Sequence, residues 1–507
     1  MDKIAVVLVE TYTAKLVIAN VVQDNYFSIC DMEVEPIQFG LEMDDDHFLK
    51  KNQIMSIIST LKNFRKICDM YNVTKTIAIA TFVKDTKPMN IYSFFDEIFV
   101  TCGFRFSLIS PEEQNNAIYT GILNSYDLPK ALIINVGADN IHLIHYNRRN
   151  ILNQAYIPVG PKTLLEMYPL SKFEDKNEAF EKVEKYIKSQ LSDFEWLSTI
   201  EPEYAIAGNG PYFEDVSKMD RIYTKYPLEK DDGYILKTDD INHILKQLLA
   251  LDIDEKKRIK GINETRVDVF AYATQIIKTI VDEVKRETVT ITTRSIIEGV
   301  LFNAVIPSTV EKPNSDIVGF SVMAQTSQYE SDSTKHNEQV YNLSMLLFKQ
   351  LRVLHKLPRG YVKVLRVASY MHDVGKRISY KNHASYSFEV VLNSEIYGLT
   401  HRELILASFV ASLHSGGDLK MAEWAKYNGI LTVEDVDATK KLGMILRLAE
   451  CFDRTKNSNI IDINCDILGD SVIMKTVTTA DASYEIQRGM EIGRDFEKIF
   501  HKKLEIL

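Results

Sequence analysis

Two short apolar runs joined by a tight turn stand at the start of the chain, and the same arrangement returns further along. Residues 4–9 (IAVVLV) and 16–22 (LVIANVV) flank a turn at Glu10–Thr13, and Ala131–Val136 and Ile141–Tyr146 flank Gly137–Asn140. Runs of this length, rich in β-branched residues and bounded by turn residues, read as buried strands. After the first hairpin, Ile54, Ile57, Ile58, Leu61, Phe64 and Ile67 recur at helical spacing and predict a helix over about 47–70. A strand at Thr76–Thr81, a helix over about 90–102 and a strand at Phe104–Ser110 follow. Ser110 and Pro111 then open a helix over Pro111–Leu123, with proline at the first helical position, where its missing N–H costs nothing. The second hairpin is followed by helical patterns at about 174–191, 239–249, 255–260 and 268–286, with a short strand at Ala205–Ala207. A strand–turn–strand unit with helices, used twice, predicts a duplicated α/β fold.

From about 306 to 334 the chain turns rich in Pro, Ser, Asp and Thr, a boundary composition. Beyond it the periodicity is helical, over roughly 335–356, 361–373, 382–393, 401–414 and 434–452, and 460–507 reads as two or three strands and a helix at 484–501. The expected organisation is therefore 1–125 and 126–306 as two α/β domains, 307–335 as a boundary segment, 336–459 as a helical domain and 460–507 as a small α+β domain. A chain of 507 residues can bury several cores without covalent staples. Its five cysteines, an odd number with no close pair, exclude a disulfide framework and a CxxC zinc site. No apolar run reaches the roughly 18 residues of a membrane helix, and Met1-Asp2-Lys3-Ile4 leads straight into a strand. The expectation is a cytoplasmic protein without a membrane partner.

Six of the eleven histidines fall between His336 and His414. The sharpest feature is His372-Asp373, which ends an apolar helix and precedes Val374-Gly375-Lys376. A lone His-Asp pair is ordinarily a surface pair, but here His336 lies upstream at a helix start and Asp453 downstream at a helix end. This order, His … His-Asp … Asp, resembles the ligand set of the HD superfamily of metal-dependent phosphohydrolases. Imidazole with carboxylate suits a divalent metal ion such as Mn, Fe, Zn or Mg. The resemblance offers His383 and His414 for a second metal position, as in binuclear members. His401 falls in a helix N-terminus (Thr400-His401-Arg402-Glu403), and His355 reads as a surface residue in a basic helix.

Charge points to the same segment. The net charge is −10, yet Lys335–Lys381 holds ten Lys/Arg and two acids, a balance of +8. Lys349, Arg352, Lys356, Arg359, Lys363, Arg366, Lys376, Arg377 and Lys381 surround the His-Asp pair in sequence. Charges usually mark solvated faces, but this surplus suits a phosphate-rich ligand, with Lys376 and Arg377 as phosphate-binding candidates. Nucleic acid is disfavoured as a partner. The aromatics of the segment (Phe348, Tyr361, Tyr370, Tyr380) read as core and rim positions rather than stacking platforms.

The whole layout resembles the exopolyphosphatase/guanosine pentaphosphatase (Ppx/GppA) family. The likeness is carried by VYNLSMLLFKQLRVLHKL, ASYMHDVGK and LNSEIYGLTHRE, and by Ile109-Ser110-Pro111-Glu112-Glu113, Ile118-Tyr119-Thr120-Gly121, Pro158-Val159-Gly160 and Arg266-Val267-Asp268. It implies two actin-like (sugar kinase/heat-shock ATPase) α/β domains, then a helical HD domain and the small α+β domain, assembled as a homodimer. It also implies two glycine-rich hairpin turns that hold phosphate between the actin-like domains through backbone N–H groups, with Mg at that cleft. Against the family pattern D-I-G-S-N-[ST], the first turn here has Leu8 for Asp and Glu10 for Gly. Against D-I-G-G-G-S-T-E, the second has Asn135, Gly137, Asp139 and His142, keeping one glycine of three. The family's general-base Glu aligns with Gln114, or with Glu113 after a one-residue shift, and its Arg with Ile297. An amide cannot take a proton from water, so the cleft reads as degenerate.

Three functions follow as expectations. The first is a phosphohydrolase working at the HD site, with Asp373 and Lys376 as catalytic candidates and His336, His372, Asp373, Asp453, His383 and His414 as metal ligands. The second is ordinary family chemistry in the cleft, with Glu113 as base. The third is a non-catalytic binder or sensor of polyphosphate or alarmone-type ligands.

Overall fold

The first hairpin forms with Val9 opposite Ala14, and Leu8 opposite Lys15. The computed structural model describes residues 2–22, 26–39, 43, 47–82, 87–306, 316–329 and 334–507. Of the expected boundary segment 307–335, residues 307–315 and 330–333 lie outside the described residues. The described chain divides into two compact units, 1–315 and 316–507.

The first unit opens with β1 (Asp2–Val9), β2 (Thr13–Val22), β3 (Tyr26–Pro36), α1 (Lys51–Met70), β4 (Lys75–Ala80), α2 (Ile91–Cys102), β5 (Phe106–Leu108) and α3 (Pro111–Leu123). There follow β6 (Lys130–Val136), β7 (Ile141–Asn147), β8 (Asn150–Ile157), α4 (Pro161–Met167), α5 (Lys176–Leu191), β9 (Ala205–Asn209) and α6 (Pro211–Tyr223). The unit ends with β10 (Ile235–Lys237), α7 (Thr238–Ala250), α8 (Ile253–Lys257), α9 (Phe270–Glu283), β11 (Thr288–Thr292) and α10 (Ile296–Val305).

The sheet orders are β3-β2-β1-β4-β5 and β10-β11-β9-β6-β7-β8. In both, an antiparallel three-strand meander continues through parallel strands, β4 and β5 in the first and β9 and β11 in the second. The duplication predicted from the two hairpins is thus present strand for strand, with β10 added at one edge. Each sheet has its own apolar core, one built on Phe39, Phe64 and Phe94, the other on Phe180, Tyr212 and Phe270.

Helix α10 does not stay with its own sheet. It crosses to α3 and the β1–β3 side of the first sheet, where Phe302 meets Phe27 edge-on at 4.9 Å. Gly299 permits the crossing, since a Cβ there would sit 1.9 Å from the Ala117 carbonyl oxygen.

The two hairpin turns act on each other. Burial raises the Asp139 carboxyl in the second turn while Thr11 in the first acts to lower it, and Lys162, at the start of α4, holds its Nζ 3.3 Å from the centre of the Tyr12 ring. Within the first turn, Glu10 pairs with Lys15 at 2.9 Å and accepts from Thr13 Oγ1 at 3.1 Å. Burial alone would raise the Glu10 carboxyl, but Lys15 outweighs it and holds the group below its ordinary value. In the second turn, Asn135 Nδ2 donates to Asn209 Oδ1 at 2.6 Å. His142 Nδ1 meets Asn115 Oδ1 at 2.7 Å, and Asn115 donates to Gln154 at 3.2 Å. Burial pushes His142 down to about 4.

The second unit contains α11 (Ile317–Tyr329), α12 (Thr334–Gln350), α13 (Arg352–His355), α14 (Tyr361–Met371), α15 (His383–Asn393), α16 (His401–Ser412), α17 (Met421–Trp424) and α18 (Val433–Cys451). It closes with β12 (Ile460–Ile467), β13 (Ser471–Thr478), α19 (Ser483–Glu491), α20 (Gly493–Phe500) and β14 (Lys503–Ile506). These last strands form one sheet, β12-β13-β14, which falls in the same compact unit as the helices. The helix predicted at 484–501 is broken at Ile492, before Gly493, a weak helix former. The helix predicted at 335–356 is likewise split at Leu351.

His355 is 1% exposed rather than on the surface. Its Nε2 donates to the Phe348 carbonyl at 2.7 Å, its Nδ1 accepts from Leu357 N at 2.9 Å, and its ring stacks on Phe348. No helix of the described residues is long and apolar enough to cross a membrane.

Two outcomes follow from the packing of the first unit. Gly299→Ala forces α3 and α10 apart and lowers stability by about 2 kcal/mol, read as a lower urea midpoint from Trp196 fluorescence in a Trp424→Phe background. His142 is protonated at ordinary pH values only in the unfolded chain. Its contribution is therefore full above about 6.5 and lost as pH falls towards about 4, an effect of about 3 kcal/mol. Over that window the parent protein should lose more stability than its His142→Gln variant, and parallel losses would refute the assignment.

Candidate metal centre

Helices α12, α14, α16 and α18 pack side by side, and the histidine and acid side chains are delivered at or near their ends. His336 lies in the first turn of α12, His372 and Asp373 follow α14, His383 opens α15, His414 follows α16, and Glu450 lies in the last turn of α18. Gly375 lets the turn after Asp373 press on α15, since a Cβ there would sit 2.1 Å from the His383 carbonyl oxygen. Ser387 seals that contact, accepting from Gly375 N at 3.0 Å and donating to the His372 carbonyl at 2.5 Å.

Four histidines are held the same way. The Nδ1 of His336 faces Asp453 Oδ2 at 2.7 Å, that of His372 the Ser369 carbonyl at 2.7 Å, that of His383 the Tyr380 carbonyl at 3.0 Å, and that of His414 the Ala411 carbonyl at 2.6 Å. Each partner can only accept, so Nδ1 carries a proton in every ring, and Nε2 is the atom that gains or loses the second one. Those Nε2 atoms converge on carboxylates. His336 and His372 approach Glu450 Oε2 at 3.0 and 3.2 Å. His383 and His414 approach Asp373 Oδ1 at 3.6 and 3.4 Å, and their Nε2 atoms stand 2.9 Å apart.

The result is two donor groups, His336, His372, Asp373 and Glu450 in one and Asp373, His383 and His414 in the other, with Asp373 in both. His336 Nε2, His372 Nε2, Asp373 Oδ1 and Glu450 Oε2 are buried without a hydrogen-bond partner. Acceptors gathered in this way repel one another and are costly to bury unless a cation joins them.

Electrostatics follows the geometry. Burial would lower His336, but the Asp453 and Glu450 carboxylates push it up to about 9. His372 is raised against burial by Asp373 and Glu450. Burial would raise Asp373, yet His372, His414 and Lys376 hold it far below the ordinary carboxylate range. Glu450 is held well below its range against burial by His336 and His372. Burial, then His414, lowers His383.

The residues expected from sequence fall into several places. His336, His372, Asp373, His383 and His414 come together. Asp453 stands behind His336, with its Oδ1 accepting from Ser458 N at 2.8 Å, and Glu450, one helical turn earlier, takes the inner position. Glu450 was missed because an acid beside Arg447 on a helix reads as a solvated face. Lys376 is paired with Asp373 Oδ2, and Arg377 is exposed.

The basic segment does not gather around the pair. Arg366 is committed to Asp316 at 2.6 Å and Lys363 to the Gly398 carbonyl at 3.4 Å. Arg359 precedes the start of α14 while His372 follows its end, and a helix of that length separates them by about 16 Å. In the first unit, Glu113 caps its own helix, its carboxylate accepting from Ser110 N at 2.7 Å. Gln114 and Ile297 are buried, as is Leu8.

Comparison with known proteins agrees with this architecture. The sequence model of the Ppx/GppA phosphatase family matches residues 17–306, and that of Ppx/GppA phosphatase domain III matches residues 319–484. A bifunctional 3-dehydroquinate synthase/phosphatase of Fusobacterium nucleatum is 23% identical over 54% of this chain, which spans only 42% of that relative. Guanosine-5'-triphosphate,3'-diphosphate pyrophosphatases are similar too. That of Pseudoalteromonas translucida is 22% identical over 62% of this chain and 61% of its own length. That of Aeromonas hydrophila is 21% identical over 76% of this chain and 73% of its own.

Among solved structures, an Aquifex aeolicus Ppx/GppA family member has a TM-score of 0.54 at 18% identity, covering 61% of this chain and 99% of its own. An exopolyphosphatase from Cytophaga hutchinsonii has a TM-score of 0.54 at 22% identity, covering 60% and 98%. Those likenesses establish the fold, two actin-like lobes with mixed sheets, to which this chain adds a helical C-terminal region. With the two sequence models together spanning most of its length, the chain belongs to the Ppx/GppA phosphatase family.

Proposed function

We propose that this chain is a metal-dependent phosphohydrolase whose working centre is an HD-type site in the helical unit rather than the cleft between the lobes. The observation that carries it is the convergence of buried acceptors, four of them without a hydrogen-bond partner, on histidines whose Nδ1 atoms are all anchored. The donor set, imidazole and carboxylate, fits Mn, Fe, Zn or Mg. His336, His372, Glu450 and Asp373 would hold one ion, and Asp373, His383 and His414 a second.

A divalent ion bound there supplies a polarised phosphoryl oxygen and a more acidic water. The protein residues do the rest. Asp453 and the three main-chain carbonyls fix ring orientation and leave each Nε2 free to donate its lone pair. Asp373 turns Oδ2 towards His372 and Oδ1 towards His383 and His414, which makes it the link between the two groups. Lys376 and Arg377 lie beside it as contacts for an incoming phosphate.

The relatives named as pyrophosphatases of a phosphorylated guanosine, and the family itself, support a phosphoanhydride or phosphoester substrate. In the cleft, Lys15 at the start of β2 is already engaged by Glu10 of the first turn. That favours a cleft serving as scaffold or ligand sensor over one hydrolysing phosphate through Glu113.

Metal analysis of the full chain tests the reading. Asp373→Ala should remove both ions and phosphate release with them, whereas His383→Ala should remove only one ion. Full activity in Asp373→Ala, or its loss in Glu113→Ala alone, would return the chemistry to the cleft. Asp453→Ala leaves the donors in place but frees the His336 ring, so metal affinity should fall about 10–100-fold. An unchanged affinity would exclude the anchoring role.

A further inference from the structure

Each carboxylate of the centre is divided between inner and outer partners. Glu450 turns Oε2 to His336 and His372, and its Oε1 accepts from Arg454 Nη1 at 3.2 Å. The outer cation there leaves the inner oxygen alone. Asp373 differs. Its Oδ1 faces His383 and His414, while its Oδ2, 3.7 Å from His372 Nε2, is held by the Lys376 ammonium. Asp373 belongs to both donor groups, and it serves both fully only if both of its oxygens are available. Lys376 therefore holds the oxygen that Asp373 turns towards the first group.

The main chain fixes where Lys376 starts. Its N–H donates to the Asp373 carbonyl at 2.9 Å, and Gly375 between the two is pressed on the His383 carbonyl. The side chain is less confined. It is 25% exposed, against 4% for Asp373, and a lysine is a compact charge on a flexible stem that can change partners. A phosphate arriving from solvent offers it such a partner, with a charge-assisted hydrogen bond of the same kind.

We infer that Lys376 gates the first donor group. It competes with the ion for Asp373 Oδ2, and a bound phosphate, by drawing Lys376 away, releases that oxygen to the ion. Lys376 acts on the ion through Asp373 and is in that respect a positioning residue. By linkage, phosphate and the first ion then each raise the affinity of the other. Arg454 has no such role, because the Glu450 oxygen it holds is not the one facing the histidines. The inference rests on the metal-centre reading above and adds to it the regulation of the first ion by the anion.

The test uses the full chain carrying His383→Ala, which leaves only the first donor group complete. Mn2+ is the metal probe, inorganic phosphate the anion, and bound Mn2+ is counted by electron paramagnetic resonance. Without phosphate, adding Lys376→Met should raise Mn2+ affinity about tenfold or more, the worth of one charged hydrogen bond. Lys381→Met, which removes an exposed charge from the same segment, should leave it unchanged. Phosphate should raise Mn2+ affinity while Lys376 is present. That gain should shrink by the same factor in Lys376→Met and be retained in Lys376→Arg, which keeps a cation. Unchanged or lowered Mn2+ affinity in Lys376→Met, an equal rise in Lys381→Met, or a phosphate gain that survives Lys376→Met would overturn the gate and leave the metal centre standing. A chain that binds no Mn2+ with or without these substitutions would overturn both.

Discussion

Four Nδ1 atoms bonded to groups that can only accept set the character of the helical unit. Three of those acceptors are main-chain carbonyls of residues three positions earlier, at Ser369, Tyr380 and Ala411. Each is therefore fixed by local backbone geometry, and each ring is oriented before any ligand arrives. The fourth is the Asp453 carboxylate, supplied from beyond the end of α18. Once the second proton that Asp453 and Glu450 favour on His336 is displaced, the tautomers so imposed make the interior an assembly of lone pairs. A bundle that buries such an assembly at the junction of its helices has given up apolar packing there, and burying acceptors is unfavourable without a cation. Gly375 and Ser387 belong to the same arrangement, because they draw the turn bearing Asp373 against the helix bearing His383.

The first unit repeats its strand order in both sheets, and its two hairpin turns carry acids, Glu10 and Asp139, that the surrounding chain offsets. A carboxylate in the first turn would repel phosphate, and here it is matched from within by Lys15, its partner in the hairpin. Asp139 in the second turn is raised by burial, with Thr11 and Lys162 acting against that rise. The acids of the turns are thus answered from within the unit, and each sheet keeps its own apolar core.

How much was legible in the sequence depended on whether a signal was local. The hairpins, the capped helix at Pro111 and the His372-Asp373 turn are short-range patterns, and they stand where expected. Strands β3 and β8 were passed over because they lie at the outer side of each meander, where exposed acids and amides interrupt the apolar run. Helix α10 is apolar nearly all round because it is enclosed between α3 and the first sheet, a fact set by tertiary crossing. His355 has basic neighbours in sequence, but its ring is turned onto Phe348. The +8 segment looked like a single patch around the metal motif, yet a helix carries half of it to the far end of α14. Glu450 and Asp453 differ by less than one turn, and only the fold shows which carboxylate faces inward.

The charge at the centre can be followed one step further. Asp373 and Glu450 are the two carboxylates among the converging donors, and each is already matched by one cation that reaches the surface, Lys376 for the first and Arg454 for the second. A metal ion can be held only by neutral imidazoles, so its uptake displaces the proton that Asp453 and Glu450 favour on His336, and the donors alone are then close to balanced, although their lone pairs repel. One divalent ion would relieve that repulsion and leave the site with a surplus near +2, in surroundings where charges are poorly screened. Metal uptake at these donors would then itself create the attraction for an anion. The acidity of the chain as a whole, −10, is no obstacle to a phosphate-bearing ligand at this one place, since beyond a Debye length of about 8–10 Å it is largely screened.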